Sequence, residues 1–256
     1  MQRIFHISDV HFGLEDRQAL VWLEQQIFDR RPEALIITGD FTMRARHGEY
    51  DRAAGWITGL GLPVWCEIGN HDMPYFNPVE RVRAPFQRYE RMLSRIAERT
   101  GVWRGVAGLV PVSLRTTRPF QKRWPWVDGW ITDEALEACL AEIDALPDGT
   151  MALVCAHHPL PERGRDDKLL TYGGQKAMEA LSHRPVAAVL SGHVHYPFDR
   201  TVDTGSGALR MIGAGTLSQR LRKAPPGFNE LIWDGVALQL QERRFDLAEK
   251  KGWQKR

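Results

Sequence analysis

Long apolar runs are missing from this chain of 256 residues. None approaches the roughly 18–20 residues that span a bilayer, which excludes a helical membrane anchor within it. The start, MQRIFHISDV, has neither a long apolar core nor a small-residue cleavage site, so no signal peptide is expected. Cysteine is scarce. Cys66, Cys139 and Cys155 are an odd number without C-x-x-C spacing, which argues against a disulfide framework and for reduced thiols in a cytoplasmic setting. An excess of charge is also lacking: 34 Lys and Arg against 32 Asp and Glu leave +2, so no extended nucleic-acid surface is expected. There is no internal repeat and no low-complexity linker. The remainder, 43% hydrophobic and 26% charged, is the composition of an ordinary globular protein.

Short apolar runs alternate with amphipathic stretches. Strands are predicted at Arg3–Ile7, Ala34–Thr38 and Pro63–Ile68, with helices at Gln18–Asp29 and Tyr50–Leu60 between them. Strand-helix-strand order implies right-handed crossovers and a largely parallel sheet. The second half repeats this logic. Helices are expected at Thr132–Ala145, with Thr132 as N-cap, and at Gln175–Leu181; strands are expected at Met151–Ala156 and Val186–Ser191. After about Tyr196 the texture changes to short strands at Phe198–Asp203, Ala208–Gly213, Phe228–Trp233 and Val236–Gln241, with hairpin turns at Gly205-Ser206-Gly207 and Asp234-Gly235. The simplest organisation is one α/β domain over residues 1–245, two sheets flanked by helices, followed by a polar tail over 246–256.

Chemistry-bearing residues stand where these strands end. The successive termini read Ser8-Asp9-Val10-His11, Gly39-Asp40, Gly69-Asn70-His71-Asp72, Ala156-His157-His158 and Ser191-Gly192-His193-Val194-His195. In an open parallel sheet such termini share one edge, where ligands bind. One such group occurs by chance in many chains, whereas ordinary turns do not concentrate histidine at five strand ends. Imidazole nitrogens mixed with carboxylate oxygens suit Mn, Fe, Zn, Co or Ni, and the absence of a cysteine cluster argues against a structural zinc site. Asp9, His11, Asp40, Asn70, His157, His193 and His195 are more donors than one ion commonly takes. They fit two divalent or mixed-valence ions sharing a carboxylate. Such a centre keeps a net charge of about +1 after a bridging hydroxide, so it attracts phosphate oxygens. A pair of ions about 3.5–4 Å apart clamps the entering and leaving oxygens of a phosphoryl displacement and brings the pKa of bound water toward about 7.

The order D-x-H, G-D, G-N-H-D, H and G-H-x-H resembles the signature of the calcineurin-like metallophosphoesterases. It extends from Asp9 to His195 with no element missing. The stretches GDFTMRARHGEY and GNHDMPYFN resemble the bacterial class III cyclic-nucleotide-phosphodiesterase-like branch. The resemblance implies a four-layer α/β/β/α sandwich with two central mixed sheets. It implies that Asp9, His11, Asp40 and His195 hold one metal, and that Asp40, Asn70, His157 and His193 hold the other. By the same resemblance His71 contacts the phosphoryl oxygen or leaving group, and Asp72 orients it. The expected activity is hydrolysis of a phosphodiester or related phosphate bond, with a cyclic nucleotide or small phosphodiester as the first substrate. A lipid-linked nucleotide pyrophosphatase acting on a UDP-diacylglucosamine-like molecule, a nuclease and a non-catalytic scaffold are the alternatives.

Other histidines have plainer readings: His6 as a satisfied core residue, His47 and His183 as solvated, His158 as structural. Residues 79–130 hold two candidate lid or cap segments. In Val79–Thr100, the residues Val79, Val82, Phe86, Tyr89, Leu93 and Ile96 are expected on one helical face beside a stripe of Arg81, Arg88, Arg91, Arg95 and Arg99, with Pro85 starting or kinking the main helix. Such a helix packs on the core or touches an anionic surface, here the inner membrane face. Trp103–Trp130, with Trp103, Trp124, Trp126 and Trp130 among basic residues, is read as an irregular substrate lid or as a cover for a sheet edge. Arg44 and Arg46 are placed as substrate-binding residues for a second phosphate or a nucleotide, and Arg220, Arg222 and Lys223 in a late loop as lesser contributors of the same kind.

Overall fold

The computed structural model describes residues 1–120, 127–160 and 171–246. Its strands are β1 (Gln2–Ile7), β2 (Ala34–Thr38), β3 (Val64–Glu67), β4 (Leu109–Ser113), β5 (Gly129–Trp130), β6 (Met151–Cys155), β7 (Thr171–Tyr172), β8 (Val186–Ser191), β9 (Phe198–Asp203), β10 (Ala208–Gly213), β11 (Gly227–Trp233) and β12 (Leu238–Arg244). The helices are α1 (Arg17–Arg30), α2 (His47–Gly59), α3 (Pro78–Arg83), α4 (Gln87–Thr100), α5 (Asp133–Asp144) and α6 (Gly174–Ser182). One sheet runs β12-β11-β1-β2-β3 and the other β4-β6-β8-β10-β9, with β5 and β7 a separate pair. The centre of each sheet is parallel (β1-β2-β3 and β4-β6-β8-β10), while β11, β12 and β9 pair antiparallel. Both sheets are therefore mixed, as the resemblance implies.

Alternation along the strands creates the layers. Phe5, Ile7, Leu35 and Ile37 point to one side, where they pack with residues of α1, α2 and α4. Their neighbours Ile4, Ala34 and Ile36 point the other way and meet Leu153, Cys155, Ala188 and Leu190 of the second sheet. Val154 and Val189 then face Leu136 and Ile143 of α5 and Met178 of α6. Because each central strand is covered on both faces, β2 is buried at every position. Side chains cap the crossover helices: the Asp16 carboxylate accepts from Gln18 and Ala19 N–H at the start of α1, and Thr132 Oγ1 accepts from Ala135 N–H in α5.

Three expectations need correction. The 79–100 segment is two helices, because the chain leaves helical geometry at Ala84, before Pro85, and resumes at Gln87. Only Tyr89, Met92 and Ile96 of α4 are buried, while Val79 and Val82 lie on α3, which buries nothing, and are 59% and 64% exposed. The arginine stripe is also broken up: Arg81 donates to the carbonyls of Pro119 and Pro74, and Arg88 pairs with Glu80 and donates to Ala45 O. The Trp103–Trp130 segment is not uniformly irregular. Trp103 is buried in the inter-sheet core, and β4 forms the edge of the second sheet, where the missing N–H of Pro111 is tolerated. Trp124 and Trp126, and nearly all of the 246–256 tail, lie outside the described residues.

A buried polar network joins the sheets below the functional edge. His6 Nε2 lies 2.9 Å from Thr38 Oγ1, and Asn229 Nδ2 donates to Gly213 O at 2.9 Å and faces His6 Nδ1 at 3.3 Å. Burial holds the His6 pKa down to about 3, against its ordinary 6.5. The unfolded chain therefore binds a proton here that the folded chain refuses, and stability falls as pH drops from 6.5 toward 3. At pH 5 this one residue should cost on the order of 2 kcal/mol relative to pH 8. Urea unfolding at both pH values should show a smaller acid loss in His6→Gln than in wild type. Equal losses would assign the acid sensitivity elsewhere.

Candidate metal centre

The carboxyl ends of β1, β2, β3, β6 and β8 meet at one edge of the sandwich. Backbone hydrogen bonds hold the loops against each other: Asp9 N–H to Gly39 O, His11 N–H to Asp40 O, and Gly192 N–H to His157 O, at 3.1, 2.9 and 2.9 Å. Asn70, His71 and Asp72 form a 3-10 turn directly after β3. Asp9, His11, Asp40, His193 and His195 all have positive φ, between 49° and 67°. Left-handed backbone costs a non-glycine residue roughly 1–2 kcal/mol, and Asp, Asn and His tolerate it best. β1, β2 and β8 are thereby turned sharply at their ends, so that their polar side chains fold back over the sheet edge.

Two groups of donors result. In the first, His195 Nε2 lies 3.0 Å from Asp9 Oδ1 and 3.2 Å from His11 Nε2, and His11 Nε2 is 3.6 Å from both Asp9 Oδ1 and Asp40 Oδ2. In the second, His157 Nε2 lies 3.5 Å from Asp40 Oδ1 and 3.0 Å from Asn70 Oδ1, and His193 Nδ1 is 3.1 Å from Asn70 Oδ1. Asp40 thus sends one oxygen to each group. All seven side chains proposed as ligands are brought together here.

The tautomers show what the site needs. His195 Nδ1 donates to Arg220 O at 2.6 Å, His157 Nδ1 to Thr38 O at 2.8 Å, and His11 Nδ1 faces Thr42 O at 3.3 Å. Carbonyl oxygens only accept, so each neutral ring turns an Nε2 lone pair inward. With the rings neutral, lone pairs face lone pairs and carboxylate oxygens, and among the described residues Asp9 Oδ1 is buried without a hydrogen-bond partner. That arrangement is repulsive unless cations lie among the donors, so the residues present fit two metal ions. The outer carbonyls fix ring orientation, the usual role of groups behind a metal-binding imidazole.

Electrostatics follow from the crowding. Burial opposes ionisation of Asp9, but the imidazoles of His195 and His11 outweigh it and hold the carboxyl well below its ordinary range. Asp40 is lowered likewise, burial being overcome by His157 and His71. Burial, then the His158 and His157 rings, pushes His193 far below the usual imidazole value. Burial also lowers His71, against the pull of Asp40.

The remaining candidates are placed differently. His71 N–H donates to Asp40 Oδ1 at 2.9 Å, and the ring's Nδ1 donates to Met43 O at 2.7 Å. The expectation that Asp72 orients His71 is therefore corrected. The Asp72 carboxylate accepts from Gly69, Phe41 and Thr42 N–H and from Thr42 Oγ1, staples the two loops together, and does not touch the His71 ring. Burial and the Asp40 charge push its pKa up to about 7, against those donors. Arg44 and Arg46 are exposed, their guanidinium groups 5.7 and 5.5 Å from the Phe76 ring centre, and among the described residues neither contacts the side chains of the two donor groups. Both ring nitrogens of His158 are occupied, by Thr116 Oγ1 at 2.8 Å and Val127 O at 3.0 Å, so it fastens loops beside the centre. The orienting carbonyls of Thr38, Thr42, Met43 and Arg220 had no signal in the sequence, since every residue carries a carbonyl.

A four-layer sandwich that gathers two clusters of Asp, Asn and His at one edge defines a metal-dependent hydrolase of the dinuclear class. The calcineurin-like phosphoesterase profile matches residues 2–197, and the chain belongs to that family. It is 28% identical over 207 residues to a probable cyclic nucleotide phosphodiesterase of Synechococcus sp., covering 76% of this chain and 74% of that protein. It is 23% identical over 212 residues to the glycerophosphodiester phosphodiesterase GpdQ of Enterobacter lignolyticus, covering 74% and 69%. Among solved structures, a dimetal phosphatase from Danio rerio superposes with a TM-score of 0.67 at 12% identity over 95% of this chain and 96% of that one, a likeness of fold. Among the described residues no helix is long and apolar enough to cross a membrane.

Proposed function

We propose that this protein hydrolyses a phosphodiester, with a cyclic nucleotide or another small diester as substrate. The observation that carries the reading is the pair of inward-facing donor clusters sharing Asp40. The relatives named as a cyclic nucleotide phosphodiesterase and a glycerophosphodiester phosphodiesterase support the substrate class. In this reading Asp9, His11, Asp40 and His195 hold one divalent ion, and Asp40, Asn70, His157 and His193 the other. When bound, the pair supplies Lewis acidity at the phosphoryl oxygens and a water acidified to near neutral pH. The chain supplies the geometry around it. The carbonyls of Arg220, Thr38 and Thr42 lock the rings, and the Met43 carbonyl turns His71 Nε2 toward the site, where in this reading it would assist the leaving oxygen.

The test is metal-reconstituted protein assayed against bis(p-nitrophenyl) phosphate, cyclic nucleotides, glycerophosphodiesters, phosphomonoesters and a lipid-linked nucleotide. Diesters should turn over fastest. Preference for the lipid-linked substrate, and only in detergent, would replace this reading with the pyrophosphatase one; no turnover of any diester would end it. His71→Ala should keep both ions and lose about 10²–10⁴-fold in kcat. Wild-type turnover in that variant would remove His71 from the chemistry.

A further inference from the structure

The sequence treats Arg220, Arg222 and Lys223 alike, but the structure separates them. Arg222 and Lys223 are exposed, and Lys223 Nζ sits 4.7 Å from the Tyr196 ring centre. Arg220 is partly buried and reaches into the metal centre. Its Nη1 lies 3.1 Å from His71 Nε2 and 3.3 Å from His11 Nε2. Other arginines of the molecule are neutralised by carboxylates: Arg88 by Glu80, Arg184 by Asp144, Arg210 by Asp199 and Arg243 by Glu230. Among the described residues Arg220 has no such ion pair, and its charge is aimed at the ground between His11 and His71, whose rings meet edge-on with centres 4.9 Å apart.

The backbone carrying Arg220 is rigidly built. Arg220 N–H donates to Ser218 Oγ at 3.2 Å, Ser218 N–H to Thr216 Oγ1 at 3.0 Å, and Thr216 Oγ1 to Asp9 O at 2.6 Å. Thr216 and Ser218 are fully buried. The Arg220 carbonyl meanwhile accepts the His195 Nδ1 proton at 2.6 Å. The same residue therefore orients one ring with its main chain and extends a cation over the centre with its side chain. A group held this way meets a ligand with little reorganisation.

We propose that Arg220 is a catalytic residue of this centre, its guanidinium binding a non-bridging oxygen of the phosphoryl group on the side where His71 stands. The proposal rests on the phosphodiester reading above. In that reaction a bond forms between water oxygen and phosphorus, one ester P–O bond breaks, and the departing alkoxide takes the proton that water gives up. The charge on the non-bridging oxygens rises from about −1 toward −2 on the way to the transition state. A planar, always-charged donor placed there interacts more strongly with the transition state than with the bound diester, and Lys cannot reproduce its paired N–H geometry.

The experiment compares wild type, Arg220→Met and Arg220→Lys as full-length, metal-reconstituted protein, with metal content, kcat/KM on bis(p-nitrophenyl) phosphate and inorganic phosphate affinity by calorimetry. Metal content should be unchanged in both variants. In Arg220→Met, kcat/KM should fall about 10²-fold and phosphate should bind at least about tenfold more weakly; Arg220→Lys should keep part of each, and added guanidinium should restore part of the Met variant's rate. Full loading with wild-type kcat/KM and unchanged phosphate affinity would overturn the assignment, as would losses that only track lost metal. If neither wild type nor variants hydrolyse diesters, the phosphodiester reading fails separately, and phosphate affinity alone decides Arg220: weaker binding in the Met variant upholds it as an anion-binding residue, and equal binding removes it. If the Met variant does not fold, the Lys variant carries the same two readouts.

Discussion

Asp40→Asn should load fewer than two ions and hydrolyse bis(p-nitrophenyl) phosphate at least about 10³-fold more slowly than wild type. The magnitude is that of several kcal/mol of charge stabilisation by the ion pair, at about 1.4 kcal/mol per tenfold in rate. The cause is geometric. Asp40 Oδ2 faces His11 of one cluster and Oδ1 faces His157 of the other, so the carboxylate is common to both groups. Asn keeps the shape but removes the charge and replaces one inward acceptor with an NH₂ group. Among the described residues one Asp40 oxygen has a backbone role, accepting from His71 N–H, which an amide oxygen can also fill. The variant should therefore fold, and circular dichroism would establish that it does. Two ions per chain with activity within tenfold of wild type would show that Asp40 is not the shared ligand.

The second large effect concerns a residue with no chemistry of its own. A Cβ on Gly192 would stand 1.8 Å from Ser8 Oγ and 2.5 Å from Asp9 Oδ2. A Cβ on Gly69 would stand 2.1 Å from Asp40 Oδ1 and 2.2 Å from its backbone nitrogen. At neither position can the obstacle swing aside without moving a proposed ligand. Gly192→Ala should lower stability by about 2–3 kcal/mol, the scale of overpacking a filled core, and lower metal affinity with it. In a protein of this size that corresponds to a fall in Tm of roughly 4–12 °C. Gly55→Ala is the control. It lies inside α2 with nothing within 4 Å of the added methyl, and should raise stability by about 0.5–1 kcal/mol. Similar Tm values for the two variants would show that the close approach of Gly192 to Ser8 and Asp9 is not tight in solution.

Both expectations share a structural cause. The centre is assembled at five strand ends, of which those of β1, β2 and β8 bend through left-handed backbone, and the glycines preceding Asp40, Asn70 and His193 keep adjacent loops close enough for their side chains to converge. Residue types that tolerate this backbone, Asp and His, are also metal donors. The glycines and the donors in G-D, G-N-H-D and G-H-x-H are therefore parts of one device.

What the sequence determined by itself was whatever repeats locally or combines residue types rarely found together. Continuous apolar runs such as ALIIT announce a strand covered on both faces, Thr132 announces the start of α5, and Asp, Asn and His at five strand ends announce a shared edge. The breaks in the reading came where long-range contact decides. Pro111 hides β4, because only an edge position makes a strand tolerate it. Val79 and Val82 fit the helical face of α4 in spacing, yet the break at Ala84–Phe86 leaves them on α3, outside the core. Asp72 stands beside His71 in the chain, but the tight turn sends its carboxylate to the loop at Phe41–Thr42 and leaves the ring to the Met43 carbonyl. Only the tertiary structure could single out Arg220 from its neighbours, since a guanidinium 149 residues away from His71 in sequence is brought to it by the loop after β10, which pairs with the end of β1 at Thr216 and Ser8. Side-chain chemistry is written residue by residue, whereas backbone carbonyls and the direction of a long side chain acquire meaning only when distant segments are packed together.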